Sequence, residues 1–184
     1  MTRRTITELY AQAASSFPDN VAGSITPALL RAFCQDFLDT IRPSYGAMSI
    51  TTPSIKALTT VDASFTWETV VQAQAPDYTC TLASGLVTRA SGPASAQIDF
   101  SIDCQALNNS VVTFTLYVDG LATPWATSNT STSSADIQSF AFTAINYSAN
   151  LAPTYQIRAK ITTPGNVTLS NGILVVQNIP VNTN

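Results

Sequence analysis

The side chains able to do chemistry in this chain are carboxylates. Histidine is absent from all 184 residues. That removes the commonest general base, the commonest metal ligand, and the base of Ser-His and Cys-His nucleophile pairs. Asp99 and Asp103 lie four residues apart in an alternating stretch and so share one strand face. Asp62, Glu68, Asp77 and Asp119 are scattered elsewhere. Two carboxylates near one another can hold calcium or act on a glycosidic bond. No Gly-containing loop with several oxygen ligands accompanies this pair, so the expected role is a solvated polar sheet face. Glycine supplies only seven residues, and no Gly-rich phosphate loop occurs. Cys34, Cys80 and Cys104 lack metal-ligand spacing, and their odd number argues against a disulfide framework. Buried free thiols are expected, with a Cys80–Cys104 contact between neighbouring strands as the exception to check. Neither an enzyme nor a bound metal or other cofactor is expected.

The elements that position these groups change character at Gly46. Beyond it the text is rich in Thr, Ser and Val, with turn clusters at short intervals, the signature of an antiparallel sandwich or barrel. The clearest strand is Gln97–Cys104, where Ile98, Phe100, Ile102 and Cys104 alternate with Gln97, Asp99, Ser101 and Asp103. Val111–Val118 alternates in the same way and leads into an Asp119-Gly120 turn. Further strands are predicted at Met48–Thr52, Ser64–Val71, Tyr78–Val87, Ile137–Tyr147, Tyr155–Thr162 and Val167–Gln177, the last broken at Asn171-Gly172. About eight antiparallel strands predict a mainly β fold, a jelly-roll-like antiparallel β-sandwich preceded by a short N-terminal helical hairpin. The immunoglobulin-type sandwich is the alternative, although its Cys–Trp–Cys pattern is missing.

One low-complexity run, Pro124–Asp136, predicts an exposed loop. Trp125 within it either tucks under the sandwich rim or stacks on a sugar ring or a subunit, which makes this the candidate ligand loop. Four Asn-x-Ser/Thr matches, at Asn109, Asn129, Asn146 and Asn166, are expected by chance in so Ser- and Thr-rich a chain, and no glycosylation is read from them.

Ahead of the β region, Thr5-Ile6-Thr7-Glu8 has capping-box form and starts a short helix to about Ser15. A second helix begins at Thr26, which caps the first turn. Pro27 suits the first helical position, and Pro43 ends the helix. Leu29, Leu30, Phe33, Phe37 and Ile41 recur at helical spacing, with Ile25 placed to staple onto Leu30. These six residues are the predicted assembly interface. The expected division is an N-terminal helical anchor over residues 1–46 and a sandwich over residues 47–184.

Charged residues are 10% of the chain, against about a quarter in an average globular protein, and the net charge is -3. The eight basic residues are dispersed, so no patch offers itself to a phosphate backbone, and nucleic acid is not an expected partner. No apolar run approaches the roughly 20 residues of a bilayer span, and the N-terminus lacks a signal-peptide core. The chain is therefore expected to stay off membranes and soluble in the cytoplasm until it assembles. A weakly charged surface with 45% apolar residues predicts an oligomer in which other subunits cover apolar area.

The series Phe17-x-Asp19-Asn20, Gly23, Ile25-Thr26, then Leu30-Arg31-x-Phe33 and Asp39-Thr40-Ile41 resembles a short N-terminal module common in structural proteins of tailed bacteriophages and prophages. The resemblance covers about a sixth of the chain. It implies a β domain displayed on the virion, made in the bacterial host cytoplasm. Taken with the absent catalytic residues and the weakly charged, apolar-rich composition, it leads to the expectation of an oligomeric capsid decoration or cement protein, most simply a homotrimer, attached through its N-terminal segment to the major capsid protein or another virion protein. The alternative it leaves open is a tail- or fibre-associated receptor-binding protein that grips a glycan.

Overall fold

The computed structural model describes residues 6–16, 26, 28–34, 44–73, 77–90 and 94–179. The chain divides into two compact units, Met1–Pro43 and Ser44–Asn184. In the first, α1 spans Ile6–Ser16, and residues 28–34 are also helical. Thr26 is the cap of that second stretch. Its Oγ1 accepts the Leu29 N–H at 3.2 Å while its carbonyl accepts the Leu30 N–H at 3.1 Å, which satisfies donors that a helix start leaves open.

The second unit is a sandwich of two antiparallel sheets. Its strands are β1 (Tyr45–Ile50), β2 (Ser54–Leu58), β3 (Ala63–Ser64), β4 (Thr69–Ala73), β5 (Tyr78–Thr81), β6 (Leu86–Arg89), β7 (Ala94–Gln105), β8 (Val111–Val118), β9 (Leu121–Thr130), β10 (Ile137–Ser148), β11 (Thr154–Ile161) and β12 (Gly165–Ile179). Sheet A runs β10-β7-β12-β1-β4, and β2 also pairs with β12. Sheet B runs β5-β6-β11-β8-β9, and β3 also pairs with β11. From β7 onward the chain keeps crossing between sheets, with β7, β10 and β12 in one and β8, β9 and β11 in the other. That jelly-roll winding, rather than the immunoglobulin alternative, is the fold.

Alternation explains the core. Ile98, Phe100, Ile102 and Cys104 of β7 point inward against Val112, Phe114 and Leu116 of β8 and Tyr155, Ile157, Ala159 and Ile161 of β11. Phe114 sits at the centre of an aromatic group, 4.9 Å from Phe140, 5.4 Å from Phe100 and 6.1 Å from Phe65 between ring centroids. The three cysteines are free thiols. Cys80 and Cys104 lie in opposite sheets, and burial pushes the Cys104 thiol up to about 12.

Several predicted boundaries shift for physical reasons. Tyr45 and Gly46, ahead of the strand start expected at Met48, open β1. A Cβ on Gly46 would lie 2.8 Å from Val87 Cγ1, so only glycine lets the sheets approach there. Ser64–Val71 is not one strand, because the chain leaves sheet B after β3 and enters sheet A at β4. Phe65 and Trp67 are buried in the passage, stacked at 5.5 Å. Tyr78–Val87 is a hairpin, β5 to β6, bent at Gly85 with a φ of 65°. β2 was not predicted. It lies beside the far end of the 15-residue β12, beyond the reach of β1. The expected break at Asn171-Gly172 is a bulge within a continuous β12, with Asn171 left-handed at φ 48°. Asp119 and Gly120, at φ 53° and 79°, form the expected turn between β8 and β9.

The exposed loop predicted over Pro124–Asp136 is overturned as far as Thr130, since β9 runs through it and pairs with β8. An edge strand needs no buried stripe of its own. Its Thr, Ser and Asn residues therefore carry no hydrophobic alternation. Pro124 is tolerated where the β8–β9 register shifts.

Candidate functional site

The outward face of sheet A is built from alternate residues of four strands, and the register places them in rows. Ile145 of β10, Gln97 of β7, Gln177 of β12 and Tyr45 of β1 form one row. Thr143, Asp99, Val175 and Ala47 form the next, followed by Ala141, Ser101, Ile173 and Ser49. Ile137 and Tyr147 stand at the two ends of the same face of β10. Within it is a shallow concavity of about 270 Å³, lined by Asp99, Ser101, Ala141, Thr143 and Ile173 over Phe100 and Phe142.

Both carboxylates singled out in the sequence lie here, and neutral donors occupy them. Asp99 accepts from the Thr143 hydroxyl at 2.8 Å and the Gln97 amide at 3.0 Å. Asp103 accepts from the Ser139 hydroxyl at 2.6 Å and the Asn171 amide at 2.9 Å. The Ser139 and then the Asn171 hydrogen bond hold the Asp103 carboxyl below its usual value. Four residues of extended strand separate the pair by about 13 Å, beyond the roughly 9.5 Å limit for two carboxylates working on one glycosidic bond. The other acids are engaged in separate structural contacts. Glu68 accepts the Thr51 and Thr52 N–H groups, Asp62 accepts the Tyr117 hydroxyl, and Asp119 accepts the Thr154 N–H. Among the described residues no group of three possible metal ligands occurs. Hydrogen-bonded carboxylates among hydroxyls and apolar side chains make this face a candidate surface for association.

Its edge points the same way. β9 and β10 are the outermost strands on one flank of the sandwich, 10 and 12 residues long, and neither contains Asp, Glu, Lys or Arg. Asn129 of β9 donates to Gln138 of β10 across the seam at 2.7 Å. Ile137, Ile145 and Tyr147 are 63%, 61% and 64% exposed, unusual for large apolar side chains on a long strand. Solitary proteins guard such edges with charges, bulges or short strands. The opposite flank follows that rule, ending in the short strands β4 and β5 with Glu68 and Asp77 beside them. No Lys or Arg stands in the rows of the sheet A face. Sheet B differs, with Arg158 and Lys160 on its outward side.

Of the residues predicted as an assembly interface, Leu29 and Leu30 are 39% and 49% exposed on the helical stretch 28–34, and Phe33 is partly buried. Ile25, Phe37 and Ile41 lie outside the described residues. Trp125 is on β9, 40% exposed, on an edge strand rather than on a loop. Sequence reasoning placed Asp99 and Asp103 on a polar sheet face but missed the exposed apolar residues of β10 beside them. The one available signal was the apolar residues at Ile137, Ile145 and Tyr147, out of phase with Phe140, Phe142 and Ala144 on the same strand.

No family model matches the chain, and no curated protein matches it. Solved structures do. The Eiger TNF of S. frugiperda is similar with a TM-score of 0.58 at 14% identity, covering 78% of this chain and 97% of that one. Murine APRIL, crystallised at pH 5.0, gives 0.53 at 9% identity over 75% and 100%. The globular domain of zebrafish complement 1qA gives 0.50 at 11% identity over 78% and 100%. At these identities the likeness is one of fold, a jelly-roll β-sandwich.

Proposed function

We propose that this chain is a structural protein of a bacteriophage virion. In this reading it is a homotrimer whose jelly-roll unit decorates the particle and whose N-terminal segment attaches it to the major capsid protein or another virion protein. The observation that carries the assembly is the uncharged β9–β10 edge adjoining the cation-free face of sheet A. An uncharged edge meets the carboxylate-bearing face of a second copy without like-charge repulsion. The face measures on the order of 600 Å² from strand spacing and rise, close to the roughly 800 Å² per partner of a standard interface. Edge-on-face contact is heterologous, and a closed ring covers both surfaces in every copy instead of propagating into a filament. The virion assignment rests on the Phe17–Ile41 resemblance. A trimer carries three attachment segments, so weak individual contacts gain roughly a hundredfold or more through effective concentration.

The test is to delete residues 1–42 and measure both mass in solution and binding to undecorated particles. A trimer that no longer attaches is expected. A monomer, or a truncated protein that still decorates fully, overturns the reading. The exposure of Trp125 favours a second reading, a tail- or fibre-associated protein that grips a glycan. Imaging virions that carry labelled protein separates the two, since copies spread over the capsid differ from copies on the tail.

A further inference from the structure

Sheet B presents a second and chemically different surface. Arg158 and Lys160 alternate on β11, and the register sets Ser64 of β3 and Thr115 of β8 on either side of Arg158. The Arg158 guanidinium lies over the Tyr117 ring at 4.1 Å from its centroid. Its Nε donates to Gln156 Oε1 at 2.6 Å, and Gln156 is anchored in turn by donating to the Ser84 carbonyl at 2.6 Å. Tyr117 is fixed by donating its hydroxyl to Asp62 Oδ2 at 3.1 Å, an oxygen that also faces Lys160 Nζ at 3.4 Å. The guanidinium is thus held by stacking and by Nε, while its terminal NH₂ groups meet no acceptor among the described residues. A planar fork of free donors on a rigid platform matches a carboxylate in bidentate fashion.

We propose that this platform is a carboxylate-binding site for an acidic sugar, with Arg158 gripping the carboxylate and Lys160 adding a second cation. The sugar is favoured by what surrounds the fork. The exposed Ser64 and the hydrogen-bonded Thr113–Ser128 hydroxyl pair flank the two cations. They offer donors and acceptors to ring hydroxyls. Two cations are too few to track a polyphosphate backbone. The site lies on the opposite side of the sandwich from the sheet A face, so covering that face leaves it open. The inference does not depend on the virion reading.

The experiment titrates the full chain with a short polygalacturonate oligomer, its neutral galactan counterpart and a polyaspartate peptide, by calorimetry. The acidic oligomer is expected to bind, the neutral one at least tenfold more weakly. Arg158→Lys keeps the charge and loses the fork, and is expected to weaken binding about tenfold. Lys160→Gln is expected to have a smaller effect, and Thr143→Ala on sheet A none. Each variant is first checked for an unchanged melting temperature. No binding of the acidic oligomer, equal binding of the neutral one, or an unchanged affinity in Arg158→Lys overturns the proposal. Polyaspartate binding as tight as polygalacturonate overturns the sugar assignment.

Discussion

Asp119, in the turn that closes β8 and β9 of sheet B, accepts the Ser148 hydroxyl at the end of β10 of sheet A, at 2.5 Å. Its second oxygen accepts the Thr154 N–H at 2.9 Å, and its own N–H donates to the Thr154 carbonyl at 2.9 Å. One left-handed residue therefore ties together the hairpin of one sheet, the last residue of a strand in the other, and the start of β11. Asp119→Ala is expected to cost about 1–3 kcal/mol, because it leaves the buried Ser148 hydroxyl without its acceptor and strains the turn. Asp119→Asn, which tolerates the left-handed conformation and keeps a carbonyl oxygen, is expected to lose less. Urea denaturation of the two variants checks both values.

Glu68 clamps the start of the β1–β2 connection, and its pH dependence follows from how it does so. The Thr52 N–H, then the Thr52 hydroxyl and the Thr51 N–H, hold its carboxyl below the usual 4.5. A carboxyl with a lowered folded value contributes stability that is present above its unfolded value and lost as pH falls through the folded one. Wild type is therefore expected to lose melting temperature as the medium is acidified below about pH 4.5. Glu68→Gln is expected to start lower at neutral pH and to show a shallower acid slope. Calorimetric melts between pH 7 and pH 3 decide it, and parallel slopes would argue against the clamp.

Ile145 tests the association face without touching the core. It is outward-facing on β10, so Ile145→Lys is expected to leave the stability of the isolated unit within about 0.5 kcal/mol. It is also expected to bring an ionised side chain that must be desolvated into every copy of the interface. Sedimentation should show the oligomer shifted towards monomer at the concentration where wild type remains assembled. An unchanged mass would place the contact elsewhere.

Phe114 marks the opposite extreme. It contacts Phe65, Phe100 and Phe140 from an interior strand of sheet B and is fully buried. Phe114→Ala is expected to cost about 3–5 kcal/mol, the range for deleting a core aromatic side chain. Chemical denaturation gives the number directly.

The thiols should separate by accessibility. Cys34 is exposed, while burial raises Cys104 to about 12 and keeps it protonated. Alkylation at neutral pH is expected to modify Cys34 rapidly and Cys104 only when denaturant opens the sandwich. Peptide mass mapping distinguishes them.

What the sequence determined by itself was local. The Thr26 cap, the Asp119-Gly120 turn and the alternation of β7 and β8 follow from backbone sterics, side-chain donors and a two-residue period, all of which act within a few residues. The absence of histidine chemistry is equally local. Tertiary structure alone decided which segments became neighbours. Phe65 and Trp67 alternate like strand residues, yet they fill the passage between sheets, because burial satisfies them in either place. β9 has no apolar stripe and exists through its backbone ladder to β8. On β10 both faces are apolar, so the two-residue period could not say which one turns inward. Pairing with β7 put Phe140, Phe142 and Ala144 on the inner side of sheet A and left Ile137, Ile145 and Tyr147 outside. The candidate interface thus came from register, a property of two strands that neither strand encodes alone.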